Sequence, residues 1–236
     1  MQPVVATLLW ALTCVYAAVV LIFLLGLFFP RKGLNQRQLS VSVVIAARNE
    51  QDTIELCLKD LIHQTYPRAQ YEILVVDDNS TDRTAEIVKN YADRYHFIQY
   101  VDAGARHEGL SHKKNALAKG ILRSSGEIIL STDADCRVRS TWIETLVSYF
   151  TPKVGMVIGF SQLGRKYERH TLFENLQALD FLALMSSAAG ACNLSFALAA
   201  SGQNIAYRRR AFEEVGGFSS IGHRISGDDV LFLQLV

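Results

Sequence analysis

Residues 127–136 read EIILSTDADC. The apolar run Ile128, Ile129 and Leu130 follows Gly126 and stops at a polar cluster, which predicts a short buried strand. Asp133 and Asp135 leave its carboxyl end with only Ala134 between them. In an open α/β sheet that end faces the ligand crevice. Two carboxylates so close repel each other, and a divalent cation relieves the repulsion. Mg²⁺ or Mn²⁺ binds a few carboxylate oxygens and fills its other positions with water and phosphate oxygens. An Asp pair at a strand end is also common in plain solvated turns, so the surrounding chain has to decide.

Upstream, strands and helices alternate. VSVVIAA at 41–47 is continuously apolar, as a central parallel strand buried on both faces would be. Arg48, Asn49 and Glu50 follow, with Asn49 placed to N-cap a helix that carries Glu50 and Asp52 in its first turn. Ile54, Cys57, Leu58, Leu61 and Ile62 then share one helical face. A second strand at 73–76 runs into Asp77, Asp78, Asn79 and Ser80. The next helix has Ile87, Val88, Tyr91 and Tyr95 on its buried side. A third strand at 97–101 leads through a Gly-containing loop to a helix at 111–123. After the central stretch, Thr141 and Glu144 have capping-box spacing for another helix. Such alternation predicts a doubly wound, mostly parallel sheet, with the loops after Ala47, Val76 and Thr132 all opening on one carboxyl edge.

Composition agrees with this. The chain has 236 residues, enough for a substantial core, and a net charge of +1, which gives no reason to expect a nucleic-acid partner. Its four Cys, at 14, 57, 136 and 192, are scattered without a C-x-x-C pair, so neither a disulfide framework nor a zinc site is expected. Cys136 reads as a small packed residue rather than a nucleophile.

The first 30 residues carry no charged side chain, and 4–29 are almost wholly apolar. About 20 apolar residues cross a bilayer as a helix. Arg31, Lys32 and Arg37 follow at once, which by the positive-inside rule places the following domain in the cytoplasm. The segment lacks the basic start and small-x-small ending of a cleaved signal. The organisation read is a transmembrane anchor at 1–30, a basic linker at 31–40 and a catalytic domain at 41–236 that is truncated at its C-terminus, because the chain stops inside an apolar helical run. The uncharged stretch 181–200 has the length of a second span, yet its Ala, Ser, Gly and Asn193 content predicts a helix and turn packed on the core or at the membrane interface.

Individual side chains suggest roles. Asp78 would accept hydrogen bonds from a base or ribose, while Asp77, Asn79 and Ser80 cap. Lys113, at a helix start, suits a phosphate better than it suits the helix dipole. Lys114 reads as a solvated helix face, and so does the run Arg208 to Arg210.

The strings SVVIAARNE, ILVVDDNSTDRT, KKNALAKG, IILSTDADC, SGQNIAYRR, EEVGGF and SGDDVLFL, in this order, resemble the inverting glycosyltransferases of family 2, with the nucleotide-diphospho-sugar fold called GT-A. The resemblance spans 41–236. It implies that Ala46, Arg48, Asp78, Lys113 and Asp133 bind the nucleotide, and that Asp133 and Asp135 hold Mg²⁺ or Mn²⁺, with Asp135 the more direct ligand. Arg48 stands where a Tyr is frequent. Asp229 matches the catalytic base, Asp228 stands where Glu is commoner, and Gly202, Asn204 and Asp228 fall on the donor-sugar and acceptor side. The implied reaction moves a sugar from a nucleotide-diphospho-sugar, UDP-linked, to a lipid or polysaccharide hydroxyl at the cytoplasmic membrane face. The Q-x-x-R-W motif of the family's processive members does not occur. A nucleotidyltransferase of related fold would want a Gly-rich first loop, which AARNE is not. A catalytically silent, membrane-tethered nucleotide-sugar-binding protein would not need Asp78, Asp133, Asp135 and Asp229 together. A glycoside hydrolase would need two opposed carboxyls without a nucleotide site.

Overall fold

The computed structural model describes residues 2–164, 171–222, 224 and 229–236. In chain order its elements are α1 (Gln2–Leu27), β1 (Val41–Ala47), α2 (Ile54–Ile62), β2 (Tyr71–Asp77), α3 (Thr84–Arg94), β3 (Ile98–Asp102), α4 (His112–Arg123), β4 (Ile128–Ser131), α5 (Trp142–Ser148), β5 (Met156–Ile158), α6 (Leu172–Asn193), β6 (Ile205–Arg208), α7 (Arg209–Glu214) and α8 (Val230–Leu233). They fall into two compact units, Met1–Lys32 with Phe160–Ala199, and Gly33–Gly159 with Ala200–Val236.

The larger unit is a six-stranded sheet in the order β3-β2-β1-β4-β6-β5. Strands β3, β2, β1 and β4 are parallel, in register Val41 with Tyr71 and with Ile128. Strand β6 runs antiparallel to β4, pairing Ser131 with Ile205, and β5 runs antiparallel to β6. This reversal matters for function. The amino-terminal end of β6 lies beside the carboxyl end of β4, so the residues leading into β6 reach the same edge as Asp133.

Alternation along β1 divides the core. Val41, Val43, Ile45 and Ala47 pack on the side of α2 and α5, with Ile54, Cys57, Leu58, Ile143 and Leu146. Val44 packs on the other side with Ala116, Leu117 and Ile121 of α4. A sheet covered on both faces explains the unbroken apolar runs at 43–47 of β1 and 73–76 of β2. Helix α4 lies close because Gly120 has no side chain: a Cβ there would overlap Val44 and Val76. That contact sets the level of the α4 amino terminus over the sheet edge.

Several local expectations are corrected. Helix α2 begins at Ile54, not after Asn49, which has φ of 57° and lies in a loop. Its side-chain Oδ1 accepts from the Thr81 amide at 2.8 Å, so Asn49 joins two loops and caps nothing. Thr141 precedes α5 without a side-chain cap bond, because Glu144 Oε2 accepts instead from Thr65 Oγ1 at 2.8 Å. A capping box does form at Thr171 and Glu174, which start α6. The 208–210 run is not a solvated face. Arg208 donates to Glu127 and to the Val154 carbonyl, and Arg209 to Gly126 O, Ile121 O and Ser124 Oγ. Only Arg210, paired with Glu214, is strongly exposed.

In the smaller unit, α1 is long and apolar enough to cross a membrane, and it is the one such helix among the described residues. The hydroxyls of Thr7 and Thr13 bond back to Pro3 O and Leu9 O, so neither is left unsatisfied in an apolar helix. The apolar stretch 181–200 forms the second half of α6 and the turn after it. Helix α6 packs against α1 through Gly26 and Gly190, each so close that a Cβ would overlap the partner backbone. Asn193 Nδ2 donates to Gly26 O at 3.1 Å, and Arg31 donates to Ser195 Oγ at 2.7 Å.

Candidate active site

The parallel strands β1, β2 and β4 deliver their following loops to one edge, and a cleft of about 330 Å³ opens there. Its walls are Ala46, Ala47, Arg48, Glu50, Asp78, His112, Lys113, Asp133, Ala134 and Asp135.

The first two loops are zipped together. Asn49 N donates to Ser80 Oγ at 3.0 Å, Glu50 N to Thr84 Oγ1 at 2.8 Å and Gln51 N to Asp82 Oδ2 at 3.1 Å. The polar residues after β1 and β2 are therefore spent on fixing the cleft wall. Asp77 is part of that frame, accepting from Ser80 N at 3.1 Å and from the Tyr100 hydroxyl at 3.0 Å. Burial and the adjacent Asp77 carboxylate push the Tyr100 hydroxyl up to about 12, so it remains a donor.

Asp78 faces the cleft. Its amide donates to Ala47 O at 2.9 Å, and its side chain is only 6% exposed. The carboxylate lies 3.2 Å from His112 Nδ1 and 3.6 Å from Arg48 NH1. His112 was not singled out by sequence; its position, just ahead of Lys113 at the start of α4, is the signal that could have found it.

Lys113 donates to Asp133 Oδ1 at 2.7 Å, and so spans the cleft from α4 to β4. Lys114 departs from the sequence expectation. It is buried, not solvated, and its Nζ donates to Arg224 O at 2.5 Å. A helix's first turn points successive side chains about 100° apart, so adjacent lysines meet different walls. Gly222 and Arg224 both meet this turn, with Ser111 N donating to Gly222 O at 2.9 Å, and the second lysine is covered.

After β4 the chain turns tightly, with Cys136 N donating to Asp133 O at 3.1 Å. The turn brings ligand atoms of Asp133, Asp135 and Cys136 within 4.8 Å of one another. Burial, then the Asp135 and Asp133 carboxylates, push the Cys136 thiol up to about 11, so it stays protonated. With a neutral sulfur beside two carboxylates, the donor set suits a hard, oxygen-seeking cation and not zinc. Since Lys113 holds one oxygen of Asp133, the exposed Asp135 is the side chain best placed to meet a cation first.

Gly202, Asn204 and Asp229 do not line this cleft. Asp229 is brought to Gly202, whose amide donates to its Oδ2 at 2.7 Å, while its Oδ1 accepts from Val230 N at 2.7 Å and caps α8. Asn204 uses Oδ1 to accept from Trp142 Nε1 at 2.9 Å. Both Gly202 and Asn204 precede β6 and so sit beyond the end of β4, alongside the Asp133 turn. Asp228 lies outside the described residues.

A mostly parallel sheet with a reversed strand next to β4, and paired carboxylates at its carboxyl edge, defines a GT-A-type fold. Residues 42–216 match the sequence profile of glycosyl transferase family 2, and the chain belongs to that family. It is 31% identical over 196 residues to the glycosyltransferase AglE of Haloferax volcanii, covering 80% of this chain and 59% of that protein. It is 35% identical over 139 residues to a beta-monoglucosyldiacylglycerol synthase of Nostoc sp., covering 56% of this chain and 29% of that one. The chain thus spans well under two thirds of each relative's length. Among solved structures, the mannosyltransferase PcManGT of Pyrobaculum calidifontis, in complex with GDP-Man and Mn²⁺, superposes with a TM-score of 0.64 at 24% identity. That superposition covers 88% of this chain and 57% of that one, and shows a shared fold.

Proposed function

We propose that this chain transfers a sugar from a nucleoside-diphospho-sugar, UDP-linked, to an acceptor hydroxyl, with inversion at the anomeric carbon. The observation that carries this reading is the meeting of Asp78, Lys113, Asp133 and Asp135 in one cleft at the carboxyl edge of the sheet. Arg48 and Lys113 supply positive charge for a diphosphate, and Asp78 supplies a fixed acceptor for the base or ribose. Ala46, small and at the end of β1, leaves room for the nucleoside. A Mg²⁺ or Mn²⁺ ion held by Asp133 and Asp135 would neutralise charge on the leaving diphosphate. Lys113 adds a fixed cation for the same charge as the anomeric C–O bond breaks, which favours the transition state over the ground state. The acceptor oxygen bonds to the anomeric carbon on the opposite face, and its proton passes to a carboxylate, which we assign to Asp229. Its two backbone N–H partners fix that carboxylate's orientation without removing all of its acceptor capacity.

Gly202 and Asn204, with Asp228 in the segment before Asp229, are assigned to the donor-sugar and acceptor side. The acceptor we propose is a lipid or glycan, in keeping with the diacylglycerol named for the Nostoc relative. Residues 1–30 serve as the membrane anchor and 31–40 as a basic linker, with 41–236 forming the catalytic part on the cytoplasmic side. A panel of nucleoside-diphospho-sugars, incubated with Mn²⁺ and membrane lipid extract, tests this by release of nucleoside diphosphate. Release that requires both metal and lipid is expected. Release of pyrophosphate from nucleoside triphosphates would instead make the chain a nucleotidyltransferase, and binding without any turnover would make it a silent nucleotide-sugar binder.

A further inference from the structure

We propose that Lys114 is a positioning residue for the transfer step. Its buried ammonium holds a chain segment that leads to Asp229, and so helps to set where the assigned base stands relative to the nucleotide cleft. This rests on the function proposed above and adds one residue that serves it. Lys113 and Lys114 are neighbours, yet only Lys113 lines the cleft. Lys114 is wholly buried, and the reaction proposed above gives it no part. Lysine is among the residues least often buried, and burial is tolerated where the ammonium is paired and hydrogen-bonded. The helix itself gives no reason for a cation here, because the dipole disfavours one in the first turn. Nor does the cap need it, since Ser111 already accepts from Lys114 N. What the side chain reaches is the main chain of a distant segment, with Nζ donating to Arg224 O at 2.5 Å.

Other contacts join the same two places. Ser111 N donates to Gly222 O at 2.9 Å. Gly222 also lies so close that a Cβ there would overlap the Leu110 side chain and the Gly109 carbonyl oxygen. Just upstream, Phe218 and Ile221 share a core cluster with Ala116, Leu117 and Ile121 of α4. Helix α4 is itself seated on β1 and β2 at Gly120, so Gly222 and Arg224 are tied to the rigid part of the sheet. Arg224 stands five residues before Asp229. Their Cα atoms therefore lie within about 18 Å of each other, the reach of a fully extended chain of that length. At its own end Asp229 accepts from Gly202 N at 2.7 Å and caps α8. The carboxylate thus depends on two attachments, and one of them is to the helix that carries His112 and Lys113 into the cleft. A general base must stand within hydrogen-bond reach of the hydroxyl it deprotonates, and a misplacement of about 1 Å can cost on the order of 10²-fold in rate. Lys114 is the side chain that links the donor site to the base.

The test compares the full unaltered chain with Lys114→Met, Asp229→Asn and the double variant. Met keeps much of the side-chain length and has no donor. On each chain three quantities are measured: melting temperature, affinity for uridine diphosphate in Mn²⁺, and uridine diphosphate release from UDP-glucose, UDP-galactose and UDP-N-acetylglucosamine with membrane lipid extract. Lys114→Met is expected to lower kcat on the order of tenfold or more, with uridine diphosphate affinity held within about twofold. In the Asp229→Asn chain the same substitution should cost little further, because no base is left to position. Gly222→Ala disturbs the same segment without touching the buried charge and should show the same pattern. It carries the test if Lys114→Met does not fold. Equal losses of uridine diphosphate affinity and turnover would assign Lys114 to nucleotide binding and overturn the inference. A lowered melting temperature with turnover per folded molecule unchanged would leave it a packing role and overturn it too. So would losses that multiply in the double variant, since Lys114 would then act apart from Asp229. Full turnover by Asp229→Asn alone would remove the base assignment, and no turnover by the unaltered chain would remove the proposed function. The inference falls with either.

Discussion

Asp77 and Asp78 are neighbours in the chain, yet β2 turns their carboxylates to different partners. Asp77 is consumed by Ser80 N and Tyr100, whereas Asp78 looks into the cleft with His112 and Arg48 against it. If His112 holds the Asp78 carboxylate in place for the donor, His112→Ala should weaken donor binding on the order of tenfold, the worth of a hydrogen bond to a charged group. His112→Asn keeps a donor near the Nδ1 position and should restore most of it, with kcat little changed in either. A loss of kcat with donor affinity intact in both variants would place His112 elsewhere in the reaction. Asp229 has two parts to separate. As a cap of α8 its loss costs about 0.5–2 kcal/mol; as the base its loss slows transfer on the order of 10²–10⁴-fold. Asp229→Asn should therefore lower both the melting temperature and the rate per folded molecule, while donor affinity holds. A lowered melting temperature with full turnover would leave Asp229 only its cap.

At the scale of elements, the ends of strands and helices decide what meets at the edge. Arg209 ties α7 to the α4–β4 connection by donating to Gly126 O, Ile121 O and Ser124 Oγ. Arg209→Met leaves those acceptors without their donor and should cost about 1–3 kcal/mol per group left unsatisfied. Vesicle binding should be unchanged; a variant of wild-type stability that binds anionic vesicles less well would instead give this run a lipid-facing role. The same comparison shows what the sequence could display. Strand β1 was legible to the residue at 41–47, because burial on both faces leaves Ser42 as its only polar side chain. Strand β2 starts two residues before its apolar run, at Tyr71 and Glu72, since Glu72 is used by Ser42 and Ser125 across the sheet. Thr141 with Glu144 and Thr171 with Glu174 share one spacing, and only tertiary competition by Thr65 separates the false box from the true one. Lys114 could not be read either, because the segment that covers it lies 110 residues on.

For the molecule as a whole, the convergence of three loop sets on one edge followed from strand alternation, and the cleft brings Ala46, Arg48, Asp78, Lys113, Asp133 and Asp135 together. The acceptor side we propose rests on likeness to a family, because Gly202 and Asn204 lead into a reversed strand that apolar patterning does not announce, and Asp229 joins them through its bond from Gly202 N. The central claim is that this edge binds a nucleoside diphosphate through a cation held by the paired carboxylates. Calorimetric titration of the full chain with uridine diphosphate, in Mn²⁺ and in excess chelator, and repeated on Asp135→Asn, tests it most directly. The account predicts binding in Mn²⁺ that falls on the order of tenfold or more in chelator and in the Asp135→Asn variant, whose melting temperature stays near that of the unaltered chain. Equal affinity in all three titrations would contradict it.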